Sequence, residues 1–134
     1  MNAVDSDVEI AEALLQAPGI AALVGARCAL AQLPQGTQLP ALVYQVITST
    51  DTPYLDDQSG VTVFRLQVNP LAGDVPTVNQ IHQAVAAALR DVRDQVVAGK
   101  RVIGVEFAGR AGYDKDDVTG AWTRPADYLV KFDQ

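Results

Sequence analysis

The chain has 134 residues, of which 49% are hydrophobic and 19% charged, so it has the size and apolar content of one folded domain and is too apolar for a disordered segment. Ten basic and sixteen acidic residues give a formal net charge of -6, which disfavours binding to nucleic-acid phosphates. The single cysteine, Cys28, excludes an intrachain disulfide and a cysteine-based zinc site.

The N-terminal segment MNAVDSDVEI is acidic and lacks the positive region and apolar stretch of a secretion signal. No apolar run approaches the length that a bilayer-spanning segment needs. We therefore expect a soluble protein that folds in the cytosol, is not exported by the general secretion pathway and has no membrane partner.

The first predicted helix lies in the segment DSDVEIAEALLQ. Ser6 and the glutamate three residues later, Glu9, form a capping-box pattern that predicts the start of the helix. Apolar residues then recur at helical spacing. Pro18 and Gly19 are expected to stop the helix ahead of a short apolar turn, IAALVG.

Three strands are predicted next. A short one covers residues 27–31 and is followed by LPQGTQLP, a loop by its prolines and glycine. Residues 41–50 and 61–69 are rich in β-branched and aromatic side chains. The alternation in the third strand predicts one buried face, made by Thr62, Phe64, Leu66 and Val68. The acidic, turn-rich segment DTPYLDDQSG is expected to form a hairpin tip between the second and third strands.

A second, long helix is predicted after Pro76, with Thr77 as its cap and Gly99 as its C-terminal stop. Its apolar residues follow the spacing of one buried helical stripe. They are Val78, Ile81, Val85, Ala88, Leu89, Val92 and Val96.

Two further strands are predicted in the C-terminal third. The first, RVIGVEFAG, should turn Ile103, Val105 and Phe107 to one face. The second covers residues 121–132, and its alternation predicts a core-like face made by Trp122, Arg124, Ala126, Tyr128, Val130 and Phe132. Pro125 cannot donate to a central ladder and predicts an edge or a bulge. The pattern as a whole predicts an α+β domain over residues 1–134, with a mostly antiparallel sheet of about four to five strands packed on two helices.

No established catalytic motif occurs in the chain. The only histidine, His82, lies beside the stripe of the second helix and is interpreted as partly solvated and structural. Two groups of aspartates could support acid and base chemistry if one member were buried. They are Asp56 with Asp57, and Asp114 with Asp116 and Asp117. Because aspartate favours turns, we interpret both groups as solvated hairpin tips.

A calcium loop beginning at Asp114 fails the register of the EF-hand. The sixth position requires glycine and the twelfth glutamate, but these positions hold Thr119 and Pro125. We therefore predict no metal site and no cofactor.

The order of short landmarks along nearly the whole chain resembles the family of tailed-phage tail completion or tail terminator proteins, which is also found in prophages and gene transfer agents. The landmarks are GIAALVGAR, LPQG followed by LPALVYQ, GVTVFRLQV, the helix VNQIHQAVAAALR and the closing YDKDDVTGAWTRPADYLVKF. The resemblance implies a single tail-terminator-like domain with a structural role and no enzymatic activity.

What the resemblance implies about partners is specific. Such proteins form rings, commonly hexameric, that end the tail tube and meet the head-tail connector. The implied partners are further copies of the chain, the tail tube protein and the connector protein, at the head-tail junction of a particle assembled in the bacterial cytoplasm. DNA would pass through the ring without specific binding.

The residues expected at the ring interface belong to two loops, 51–59 and 112–124. The candidates are Tyr54, Asp56, Asp57, Tyr113, Asp117, Trp122 and Arg124. The pair Trp122 and Arg124 is favoured because tryptophan and arginine are enriched at protein interfaces. Two alternatives remain open: a small carboxylate- or metal-dependent hydrolase that uses Asp114, Asp116 and Asp117, and a generic bacterial binding module.

Overall fold

The computed structural model describes residues 3–48 and 60–133. In these residues the helices are α1 (Ala3–Leu14), α2 (Pro18–Val24) and α3 (Val75–Arg90). The strands are β1 (Cys28–Leu30), β2 (Ala41–Thr48), β3 (Val61–Ala72), β4 (Arg93–Val97), β5 (Lys100–Arg110), β6 (Asp114–Lys115), β7 (Trp122–Thr123) and β8 (Ala126–Asp133). None of the described helices has the length and apolar character that crossing a membrane requires.

The strands form one mixed sheet with the order β1-β2-β3-β8-β5-β4. The short edge strand β1 runs parallel to β2, and the other pairs are antiparallel. Strand β7 pairs with the last residues of β3, next to the N-terminal end of β8, and β6 pairs with β7. The predicted α+β class is confirmed, but the described residues contain three helices and eight strands instead of two helices and about four to five strands.

The core lies between one face of the sheet and the three helices. The predicted buried faces of β3 and β8 are confirmed, and Phe64 packs edge-on against Phe132 with 5.9 Å between ring centroids. Helix α3 covers this face with Ile81 and Val85, both fully buried. The buried residues of α1 and α2 complete the same cluster.

The start of the chain differs from the prediction in two ways. Ser6 lies inside α1, three residues after the first described helical residue, so it is not the helix cap. Residues 18–24 form α2 and not a simple turn. The reason is that proline suits the first turn of a helix, and that Ile20 and Val24 are then fully buried.

Both predicted ends of α3 were wrong. The cap is Asp74, whose side chain accepts a hydrogen bond of 2.8 Å from the backbone N–H of Thr77. The helix ends at Arg90 and the chain continues into the edge strand β4, where Val96 is exposed. Gly99 belongs instead to the two-residue turn between β4 and β5, a turn type that requires positive φ angles.

Irregular pairing of β5 with β8 explains a further difference. The register shifts between Val102 and Gly104. Val102 is fully buried, whereas Ile103, which was predicted to share a face with Val105 and Phe107, is half-buried. The interruption predicted at Pro125 is observed, since residues 124 and 125 separate β7 from β8.

Candidate interaction surface

The predicted interface residues divide into two groups. Three of them lie outside the described residues, on the loop 51–59: Tyr54, Asp56 and Asp57. The other four lie within the described part of the chain, on the 112–124 loop: Tyr113, Asp117, Trp122 and Arg124.

The 112–124 loop is a small hairpin that extends from the sheet. Its strands β6 and β7 pair Asp114 with Thr123 and Lys115 with Trp122, and β7 joins the end of β3. We call residues 114–120 the acidic tip. At the tip, the backbone N–H of Gly120 donates to the carbonyl of Asp116 over 2.7 Å. The turn is therefore closed by its own backbone and needs no ion to shape it.

Asp116 stabilises this turn through its side chain. Its Oδ1 accepts hydrogen bonds from the backbone N–H groups of Val118 (2.8 Å) and Thr119 (3.3 Å). These bonds lower the pKa of the Asp116 carboxyl below its usual value. A general acid needs the opposite shift, so the carboxylate is suited to shaping the turn and not to catalysis.

The acidic tip does not assemble a metal site either. Asp114, Asp116 and Asp117 are all exposed, as expected for a solvated hairpin. Among the residues that the structure describes, no group of three or more histidine, cysteine or carboxylate side chains could hold a metal ion. The turn interpretation of this aspartate group is therefore the one that the geometry favours.

A clamp of Tyr113, Arg124 and Asn79 ties the base of the loop to α3. The guanidinium of Arg124 lies over the Tyr113 ring, 4.5 Å from its centroid, and its Nε donates to the carbonyl of Ala111 over 2.9 Å. The Tyr113 hydroxyl accepts from Arg124 Nη1 (3.1 Å) and donates to Asn79 Oδ1 (2.8 Å). The cation–π and hydrogen-bond contacts thus orient the loop relative to the helix.

His82 supports the same loop from one turn further along α3. Its Nε2 lies 2.6 Å from the carbonyl oxygen of Arg124, and because a carbonyl can only accept, Nε2 carries the proton. His82 is buried, which corrects the prediction that it is partly solvated. Burial lowers the pKa of His82, although the bond to Arg124 opposes the shift. The position of His82 beside the apolar stripe was a sequence signal for its burial. Its hydrogen-bond partner could not be predicted from local sequence, because Arg124 is 42 residues away.

Trp122 is half-buried and does not belong to the hydrophobic core cluster. Lys115 reaches over its ring, with Nζ 5.5 Å from the centroid. The prediction that Trp122 belongs to the buried face of the last strand was wrong. The break at Arg124 and Pro125 separates Trp122 from the alternating residues of β8. The most exposed large apolar side chain of the loop is instead Val118, at 94%.

A second surface was not visible in the sequence. Three arginines that are scattered along the chain surround a groove of about 290 Å³ between α3 and β5, which we call the arginine groove: Arg90, Arg93 and Arg110. Its floor includes Phe107, which packs edge-on against Tyr128 at 5.5 Å and is 49% exposed. The guanidinium of Arg110 lies 5.2 Å from the Phe107 centroid.

The charges of the three arginines are not paired within the part of the chain that the structure describes. None of them forms an ion pair with a carboxylate of the described residues, whereas Arg65 and Arg101 do. The arginine groove therefore collects three of the ten basic residues of an acidic protein. Such a groove attracts a negatively charged partner.

The described residues form a small α+β domain with an exposed, acidic loop. The family model described as Tail completion protein gp17 matches residues 8–123, and the chain belongs to that family. It is a family of structural phage-tail proteins, so the chain is a structural tail protein and not an enzyme. The hydrolase alternative is thereby excluded.

Solved structures share the fold. A chain from the virion of a native gene transfer agent particle has a TM-score of 0.73 at 17% identity, and the match covers 100% of both chains. A second solved chain has a TM-score of 0.58 at 14% identity, and the match covers 98% of this chain and 94% of the other. No curated protein sequence matches the chain significantly.

Proposed function

We propose that the chain forms a ring that ends the tail tube and joins it to the head-tail connector of a phage or phage-like particle. The observation that carries this proposal is the family match over residues 8–123, because tail completion requires a component at the end of the tube. The partners would be further copies of the chain, the tail tube protein and the connector protein. The likeness in fold to a chain of a gene transfer agent virion is consistent with such a particle.

The 112–124 loop has the form that an assembly contact needs. Its base is fastened to α3 by the clamp and by His82, while Asp117 and Val118 remain exposed at the tip. A contact residue that is already ordered loses little conformational entropy on binding. We therefore propose that the subunits meet at this loop, with Tyr113, Asp117, Trp122 and Arg124 as the described interface candidates.

The charge of the chain fits a ring around DNA. A formal charge of -6 on each copy would repel the DNA backbone wherever acidic residues face the channel, so that DNA could slide without adhering. An assembled ring with a predominantly basic channel would contradict this part of the proposal.

The test is to delete the gene for this chain in cells that produce the particle and to examine the lysates by electron microscopy. We expect filled heads without attached tails and tubes of irregular length, and we expect the wild-type chain supplied in trans to restore whole particles. Normal, head-attached tails in the deletion strain would contradict the proposed role. Averaged images of the purified chain, alone and with tail tubes, would give the ring number.

A further inference from the structure

We infer that the acidic tip of one copy binds the arginine groove of the next copy, so that the subunits of the ring meet head to tail. The inference rests on the proposed ring and specifies the contact that builds it. It assigns a role to the arginine groove and to Val118, neither of which the sequence indicated.

Charge complementarity is the first support. The acidic tip presents three exposed aspartates, and Asp117 forms no ion pair with a described residue. The arginine groove presents three guanidinium groups without described carboxylate partners. Guanidinium and carboxylate groups form short, paired hydrogen bonds, so each surface supplies what the other lacks.

An apolar contact at the centre of the same surfaces is the second support. Val118, directly after Asp117 in the tip, is 94% exposed. In the arginine groove, Phe107 is 49% exposed and is accompanied by Val105 and Tyr128. Insertion of Val118 among these side chains would cover apolar surface on both copies, with charged pairs around it, as in an ordinary interface core and rim.

Within one chain, the acidic tip and the arginine groove are not paired. None of the three tip aspartates forms an ion pair with a groove arginine in the described part of the chain. Arg110, at the loop end of the groove, lies only four positions before Asp114, but the clamp holds the base of the loop on Asn79 of α3. The inferred contact is therefore one between two copies. Because the two surfaces differ, their contact is heterologous, and a heterologous contact that closes on itself gives a ring.

Two complementary variants test this contact. The tip variant carries Asp117→Asn and Val118→Ser, which removes charge without reversing it, and the groove variant carries Arg90→Glu and Arg93→Glu. Each variant alone should remain monomeric in sedimentation velocity, with self-association weakened on the order of a hundredfold relative to wild type. Mixed together, they should form a dimer and nothing larger, because only one pair of intact surfaces is left.

A matched control carries Lys100→Glu and Lys131→Glu, which changes the net charge as much as the groove variant does but lies outside the groove. It should assemble like wild type. Rings that persist in the groove variant would contradict this inference while leaving the ring proposal intact. A mixture of the two variants that stays monomeric would also contradict it.

Disulfide trapping gives a second measurement that does not depend on charge reversal. In a Cys28→Ser background, Val118→Cys combined with Ala86→Cys should give a ladder of cross-linked multimers under oxidising conditions. The same two cysteines placed on separate molecules should give dimers only. The control pair replaces Ala86 with Leu30→Cys, an exposed position on the opposite edge strand, and should not cross-link.

The remaining outcomes identify other occupants of the arginine groove. If the wild-type chain binds a short DNA duplex, the groove variant loses that binding, and self-association is unchanged, the occupant is nucleic acid and the inference is wrong. Absence of rings from the wild-type chain, together with absence of a ladder from the variant with Val118→Cys and Ala86→Cys, would contradict both the contact and the ring.

Discussion

The buried face of the sheet and the 112–124 loop are held in place by different forces. On the sheet, Phe64 and Phe132 are almost fully buried and pack against each other and against α3. In the loop, residues 111–119 are all exposed, and the structure depends on a few directed contacts at Arg124 and Tyr113. The first region derives its stability from apolar burial and the second from local polar geometry.

This difference separates stability from assembly. A substitution in the core should change the free energy of unfolding and affect assembly only through folding. A substitution at Asp117 or Val118 of the acidic tip should affect assembly and leave the free energy of unfolding nearly unchanged. The predictions below test that separation, beginning in the core and moving outwards to the tip.

The largest expected effect is that of Phe64→Ala. Removing a fully buried aromatic ring from a packed core should lower the free energy of unfolding by about 3–5 kcal/mol, measured by urea denaturation. The matched control is Phe107→Ala, which removes the same side chain from a site that is 49% exposed. A comparable loss from both variants would contradict the assignment of this stability to apolar burial.

His82 joins the two regions, and its substitution should have an intermediate effect. His82→Ala removes the hydrogen bond to the carbonyl of Arg124 and leaves that acceptor without its partner. We expect a loss of about 2 kcal/mol in the free energy of unfolding at pH 7.5. An unchanged unfolding curve would show that the contact between α3 and the loop contributes nothing to stability.

The effect of His82→Ala should also depend on pH. Because the pKa of His82 in the folded chain is lowered from 6.5, the unfolded chain binds the proton more readily, and wild-type stability falls as the pH drops below 6.5 towards the folded value. The variant lacks this loss, so the difference between the two proteins should narrow between pH 7.5 and pH 5.5. Asp74 and Asp116 have lowered pKa values and remain ionised over this range. A difference that widens with acidification would contradict the assignment.

Periodicity predicted the core better than the ends of the elements. The alternation of β3 and the stripe of α3 each depend on which face is apolar, and that information is carried by neighbouring residues. The true end of α3 was missed because Val92 and Val96 continue the apolar spacing, although Val92 closes the core after the helix and Val96 is exposed on β4. The spacing alone did not distinguish a longer helix from a helix followed by an edge strand.

The candidate surface required information that no local pattern carries. Asp117 follows from the turn chemistry of the loop, but the clamp joins Tyr113 to Asn79 across 34 positions of the chain. The arginine groove likewise collects side chains from α3, β4 and β5. The net charge of -6 concealed it, because an average over the chain does not show how the fold groups the charges.

Arg124→Ala should have a smaller effect on stability than His82→Ala. It removes the stacking on Tyr113 and the bond to the carbonyl of Ala111, both in an exposed loop. We expect about 1 kcal/mol or less in the free energy of unfolding, with a red shift of Trp122 fluorescence as the loop loosens. Ring formation or tail attachment should weaken. Trp122→Ala is the comparison variant. Its melting curve will show whether a loss of assembly comes from a lost interface contact or from unfolding of the domain. An Arg124→Ala chain that assembles normally would remove Arg124 from the interface.

The smallest effect on stability is expected at the acidic tip. Val118→Ala removes two methyl groups from a side chain that is 94% exposed, so the free energy of unfolding should change by less than about 0.5 kcal/mol. The control, Val130→Ala, makes the same chemical change at a fully buried site and should cost about 2 kcal/mol. Self-association should show the reverse order: weakened by Val118→Ala and unchanged by Val130→Ala at temperatures where that variant stays folded. A Val118→Ala chain with wild-type self-association would mean that the exposure of this valine has no part in assembly, and the contact would then depend on the charges of the tip alone.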